Sequence, residues 1–115
     1  MAFTETEALQ VHSLMEDFMK QHRPHDHIRD KLDLSWRISG QSVEIFEIRP
    51  HYLKPDEKLE EEVARITYIR MQDHWKLFWM MSDLKWHGYD PKPIVPTLSE
   101  ALIEVENDPH GCFFG

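Results

Sequence analysis

Leu32-Asp33-Leu34-Ser35-Trp36-Arg37-Ile38-Ser39-Gly40-Gln41-Ser42-Val43-Glu44-Ile45-Phe46-Glu47-Ile48-Arg49-Pro50 is the stretch on which the fold turns. Leu32, Leu34, Trp36 and Ile38 fall at every second position with Asp33, Ser35 and Arg37 between them, the period of a strand with one buried face. Ser39-Gly40 supplies the glycine of a tight hairpin, and Gln41 to Arg49 reads as the return strand. A two-residue loop puts Val43 and Ile45 on the apolar face and continues it with Glu47 and Arg49; a bulged loop puts Phe46 and Ile48 there instead. Pro50 ends the strand because it has no N–H to give a ladder.

Towards the N-terminus the period changes. Thr4-x-x-Glu7 has the form of a capping box, and Ala8, Val11, Leu14, Met15, Phe18 and Met19 follow at steps of three and four, so an amphipathic helix is expected before Pro24. Pro24 to Lys31 is polar and charged and reads as a turn or a short helical turn. Beyond Pro50, the run Lys54 to Glu62 reads as an exposed loop or a short solvated helical turn. A second hairpin is expected next, from Val63–Arg70, a turn at Met71-Gln72-Asp73-His74, and one long strand over Trp75–Tyr89. Fifteen residues exceed an ordinary strand, which predicts a bend or bulge near Ser82 to Leu84. Pro91, Pro93 and Pro96 punctuate a loop. Thr97-x-x-Glu100 opens a second helix with Leu98, Ala101, Leu102 and Val105 on one face, ending near Asp108-Pro109.

Helix, two hairpins, helix predicts a single α+β domain over residues 1–115, an antiparallel sheet with both helices packed together on one face. A chain of 115 residues, 41% hydrophobic, suits one core. Thirteen basic against 21 acidic residues give a net charge of −8, which disfavours nucleic acid as a partner. One cysteine, Cys112, leaves no internal disulfide, and neither a leader nor an apolar run of spanning length is visible, so a cytoplasmic protein away from membranes is expected.

Four groups of residues could carry chemistry. On the long strand, Asp83, Lys85, His87 and Tyr89 follow Trp75, Leu77 and Trp79 on one face, where Lys85 could hold an anion, His87 could move a proton and Asp83 could orient either. A half-strand that simply turns its polar side to water explains the same pattern. Glu47 and Arg49 lie on the apolar side if the tight register holds, and must then be paired or face a cavity. Glu47 with Asp83 and Lys85 also echoes the acid and acid-x-lysine arrangement by which nucleases and other hydrolases hold a divalent metal. His22, His25 and His27 could share zinc or nickel with His110 or Cys112, or be solvated loop histidines. Trp75, Phe78, Trp79, Trp86 and Tyr89 could stack bases, although a core explains them more simply.

Gln41-Ser42-Val43-Glu44-Ile45-Phe46-Glu47-Ile48-Arg49-Pro50, Trp75 with Trp79, Asp83-Leu84-Lys85-Trp86-His87-Gly88-Tyr89 and the ending Gly111-Cys112-Phe113-Phe114-Gly115 together resemble a small bacterial family known as domain of unknown function 3024, from about Arg23 onward. Met81 departs from that pattern, in which an arginine is expected two places before Asp83. The resemblance implies a bacterial single-domain protein and brings no activity or cofactor with it. The residues therefore predict a non-enzymatic binding module whose sheet face, near Glu47, Arg49, Asp83, Lys85, His87 and Tyr89, holds a small polar ligand or a protein partner. A metal-dependent hydrolase acting through Glu47, Asp83 and Lys85 is the alternative. The Phe113-Phe114 tail, with an exposed edge of Val63–Arg70 or of the first hairpin, offers a seam for a homodimer.

Overall fold

In the computed structural model of the chain, which describes residues 2–115, the first helix, α1, spans Glu5–His22. Thr4 Oγ1 accepts from the Glu7 N–H at 3.2 Å while a Glu7 carboxylate oxygen accepts from the Thr4 N–H at 2.8 Å, so the predicted capping box closes in both directions. Val11, Met15, Phe18 and Met19 form its buried stripe. The helix stops where Pro24 forces the preceding Arg23 into an extended conformation.

β1 (Asp33–Ser39) and β2 (Ser42–Pro50) pair antiparallel with Ser39 opposite Ser42, which leaves Gly40-Gln41 as a two-residue loop. Gly40 takes the left-handed conformation there, φ 61°, that the turn requires. The tight register follows: Val43 and Ile45 are fully buried on the helix side, and Glu47, opposite Leu34, continues that face.

β3 spans Lys58–Ile69, longer than its β-branched half alone suggests. The acidic run expected as a loop or helical turn is, from Lys58 to Glu62, paired strand, with Phe46 opposite Glu62 and Pro50 opposite Lys58. Cross-strand arginines explain the difference: Arg49 reaches Glu61 at 3.5 Å, and Arg37 reaches Glu60 and Glu62 from two strands away. A bulge at Ile45/Phe46 lets both Val63 and Ala64 enter the core.

A single 3-10 turn at Arg70–Gln72 and a left-handed Asp73, φ 51°, lead into β4 (His74–Met80). The predicted long strand ends here. At Met81–Lys85 the chain reverses instead of bending, and β5 (Trp86–Gly88) returns along β4 with His87 opposite Trp79. The reversal is held by the Asp83 carboxylate, which accepts the Lys85 N–H at 3.0 Å, and by a left-handed Leu84, φ 61°. A two-residue strand, β6 (Ile94–Val95), pairs with the start of β4 along the same side. The strand order is therefore β1-β2-β3-β4, with β5 and β6 sharing the outer side of β4 and β1 open at the opposite edge. β3 lies in the interior, so Val63–Arg70 is no exposed edge.

α2 (Leu98–Asn107) starts from Thr97, whose hydroxyl accepts the Glu100 N–H at 3.2 Å, and buries Leu98, Ala101, Leu102 and Val105. Both helices contribute to one core with Val43, Ile45, Ile66, Leu77 and Tyr89, and they touch each other. The Asp108 carboxylate accepts the N–H groups of Phe113 and Phe114 at 3.0 and 2.8 Å, folding the apolar tail back so that Phe113 lies 4.9 Å from the Tyr89 ring. The other face of the sheet has no helix over it. No helix among the described residues is long and apolar enough to cross a membrane.

Candidate functional site

Because the long strand is a hairpin, the six residues singled out from the sequence divide among three places. Tyr89 is fully buried, and its hydroxyl donates to Glu104 Oε2 on α2 at 2.8 Å. Burial, reinforced by that carboxylate, pushes its phenol well above the ordinary tyrosine range, so it is a neutral, structural group. Asp83 and His87 meet across the hairpin, with Oδ2 and Nε2 2.8 Å apart, and the histidine holds the Asp83 carboxyl below its ordinary range. Lys85 joins them through its backbone N–H.

Glu47 and Arg49 pair with each other at 3.3 Å on β2. Glu47 borders a cavity of about 240 Å³ with His22, Asp33, Glu106 and Phe114. Glu47 and Asp83 thus have separate partners. Among the described residues no three His, Cys, Asp or Glu side chains are arranged to hold a metal ion, so His22, His25 and His27 do not come together as a metal-binding group. His25 and His27 stack on each other at 5.8 Å, and His22 lies 3.6 Å from Glu106.

The sheet's uncovered face carries a denser constellation. Alternation puts Arg37 of β1, Glu44 and Phe46 of β2, Glu60, Glu62, Arg65 and Thr67 of β3, Phe78 and Met80 of β4 and Trp86 of β5 on it together. Arg37 is the hub. Its Nε donates to Glu44 at 3.0 Å, its Nη1 to Glu60 at 2.8 Å and its Nη2 to Glu62 at 2.5 Å, while its guanidinium sits 4.3 Å above the Phe46 ring. Arg65 closes the network on Glu44 at 3.1 Å. Glu44 and Phe46 are only 8% and 6% exposed on a face with no covering layer, because the arginine fork lies over them.

The network is incomplete at Glu62. Its Oε2 is buried without a hydrogen-bond partner, and burial, with Glu44 and Glu60 nearby, pushes its carboxyl above the ordinary range in spite of Arg37. Glu60, Glu61 and Glu62 line a groove of about 510 Å³ with Met80 and Leu84. Arg65, Thr67, Phe78 and Trp86 line a second hollow of about 290 Å³ on the same face. Leu84, at the hairpin tip, is 82% exposed and held in a left-handed conformation that a leucine adopts only at a cost.

Sequence reasoning passed over this face. Arg37 belongs to the polar phase of the first hairpin, but Glu60 and Glu62 join it only once Lys58–Glu62 is seen as strand, and Trp86 meets Met80 only once the chain reverses at Met81–Lys85.

No curated protein and no solved structure matches the chain. The family model described as Domain of unknown function (DUF3024) matches residues 3–115, and the chain, with the two-helix, antiparallel α+β fold described above, belongs to that family.

Proposed function

We propose that the chain is a non-enzymatic binding module that docks a basic segment of a protein partner on its uncovered sheet face. The observation that carries this reading is Glu62 Oε2, a buried carboxylate oxygen without a partner on a face without a covering layer. A lysine or arginine arriving there would supply the missing donor and offset the desolvation of the carboxylate. A net charge of −8 over the whole chain favours a cationic partner. Met80, Leu84, Phe78 and Trp86 would take the apolar residues next to that cation. Leu84 supports the reading independently, since a strained and exposed leucine costs the folded state something that a contact would return.

In this proposal Asp83, Lys85 and His87 fix the hairpin that walls the groove, Tyr89 anchors it to α2, and Glu47 with Arg49 braces β2 against β3. An unpaired Cys112 suits the reducing cytoplasm as the setting. Selection of a random peptide library against the full chain tests it. Enriched peptides should carry Lys or Arg beside an aliphatic or aromatic residue, should shift the amide signals of Glu62, Phe78, Leu84 and Trp86, and should bind Glu62→Gln roughly tenfold more weakly. Enrichment without basic residues, or shifts confined to the helices, would refute it.

A further inference from the structure

A cavity of about 350 Å³ lies on the helix side, at the end of the sheet where β3 gives way to β4. Phe3 and Val11 of the α1 region, Tyr68 at the end of β3, Asp73 in the turn, Trp75 at the start of β4 and Leu98 at the start of α2 all border it. It shares no lining residue with the two hollows of the open face.

Its chemistry is aromatic and acidic. Tyr68 and Phe3 stand 5.0 and 5.8 Å from Trp75, tilted 42° and 36° to it, so neither stacks flat on the indole. Two carboxylates, Glu7 and Asp73, are in the lining, and no lysine or arginine is among the described residues that border the cavity. Glu7 is neutralised by Arg70, which bonds to it from outside and also donates to the Ala2 carbonyl at 3.2 Å. Asp73 is different. Its Oδ1 accepts the Tyr68 hydroxyl at 2.8 Å, and it has no salt-bridge partner among the described residues. A neutral hydroxyl is thus its side-chain partner among the described residues, while Arg70, 5.6 Å from the Tyr68 ring centroid, keeps its ion pair with Glu7. The positive end of α2 opposes a cation there, but Thr97 already engages the Glu100 N–H, and a helix end carries only about half a unit charge against the full charge of Asp73.

We propose that this cavity binds an alkylated ammonium group, held against Phe3, Tyr68 and Trp75 by cation–π attraction and drawn in by Asp73. The methyl surface of such a group uses the apolar walls of Val11 and Leu98, which a metal ion or an inorganic anion would not. Gln10, Thr97 and Ser99 add neutral hydrogen-bonding groups for a hydroxyl or amide carried on the same ligand. The group could belong to a free small molecule or to a methylated lysine side chain. This site stands independently of the docking face.

Nitrogen-correlated NMR of the full chain tests the proposal through the Trp75 indole N–H. Three probes are compared: choline, its uncharged isostere 3,3-dimethylbutan-1-ol, and a short peptide containing trimethyllysine. Choline or the peptide should shift the Trp75 signal saturably and bind about tenfold more tightly than the neutral isostere. Choline alone would identify a free small molecule as the source, and the peptide alone a protein side chain; either supports the site. Asp73→Asn keeps the left-handed turn, which asparagine tolerates, and should weaken the charged probes about tenfold while leaving the isostere unchanged. Equal binding of the isostere, no saturable shift with any probe, or charged-probe binding untouched by Asp73→Asn would overturn the proposal.

Discussion

Replacing Arg37 with methionine removes one cation from three glutamates while keeping an apolar cover on Phe46. Breaking a buried ion pair by removing one partner costs about 3–5 kcal/mol. Here the Arg37 side chain is 38% exposed and Glu44 keeps Arg65, so water and the second arginine absorb part of the loss. Roughly 2–3 kcal/mol should remain near neutral pH, a drop in melting temperature of about 8–12 °C for a chain of this size. The pH dependence is the sharper signature. Without Arg37, the Glu62 carboxyl rises further above its unfolded value, so the folded variant binds the proton more tightly than the unfolded one and gains stability as pH falls. The deficit of Arg37→Met should therefore shrink as pH falls from neutral towards the ordinary glutamate range, while Arg37→Lys should fall between variant and parent. Urea denaturation followed by circular dichroism across that range measures both. A deficit below about 0.5 kcal/mol at neutral pH, or one that does not change with pH, would show that the glutamates are solvated independently and that the network is no unit.

Leu84→Gly should raise the melting temperature by a few degrees, since relieving a left-handed leucine is worth about 1 kcal/mol, yet weaken capture of basic peptides in a binding titration. Tyr89→Phe should cost about 1–2 kcal/mol in urea denaturation, because it leaves Glu104, 14% exposed, with only Lys92 at 3.8 Å; a double-mutant cycle with Glu104→Gln should show coupling. Thr4→Ala should lose about 1 kcal/mol through the α1 capping box, measured by thermal melting. Asp33 accepts the Arg23 fork at 2.8 and 2.9 Å, and Arg23 depresses its carboxyl pKa, so the stability it supplies is complete above the ordinary aspartate range and is lost as pH falls through the depressed value. Asp33→Asn should accordingly destabilise at neutral pH and match the parent in strong acid.

The first hairpin, both helices and their caps were legible because each rests on local signals: a period of two around a glycine loop, a period of three to four behind a threonine cap. Two features were not. Lys58 to Glu62 looks like solvent-loving loop until Arg37 and Arg49, distant in sequence, are brought alongside it. Trp75 to Tyr89 keeps its alternation on paper, and the reversal at Met81–Lys85 depends on one aspartate carboxylate and a left-handed leucine, a conformation leucine does not advertise. Glu47 and Arg49 pair with each other, one of the two outcomes their place on the apolar side allows, whereas the pairing of Asp83 with His87 depends on that turn.

The sheet is guarded unequally. Along the outer side of β4, β5 and β6 occupy the ladder in short pieces, whereas β1, Asp33 to Ser39, has no strand beside it on its outer side and only its Leu34 N–H is taken up, by the Asp33 carboxylate, among the side-chain bonds of the described residues. A second copy adding to that strand would consume the long free edge of both chains at once. Such a pairing would leave only the short pieces beside β4 at the outer edges, a poor template for a growing fibre.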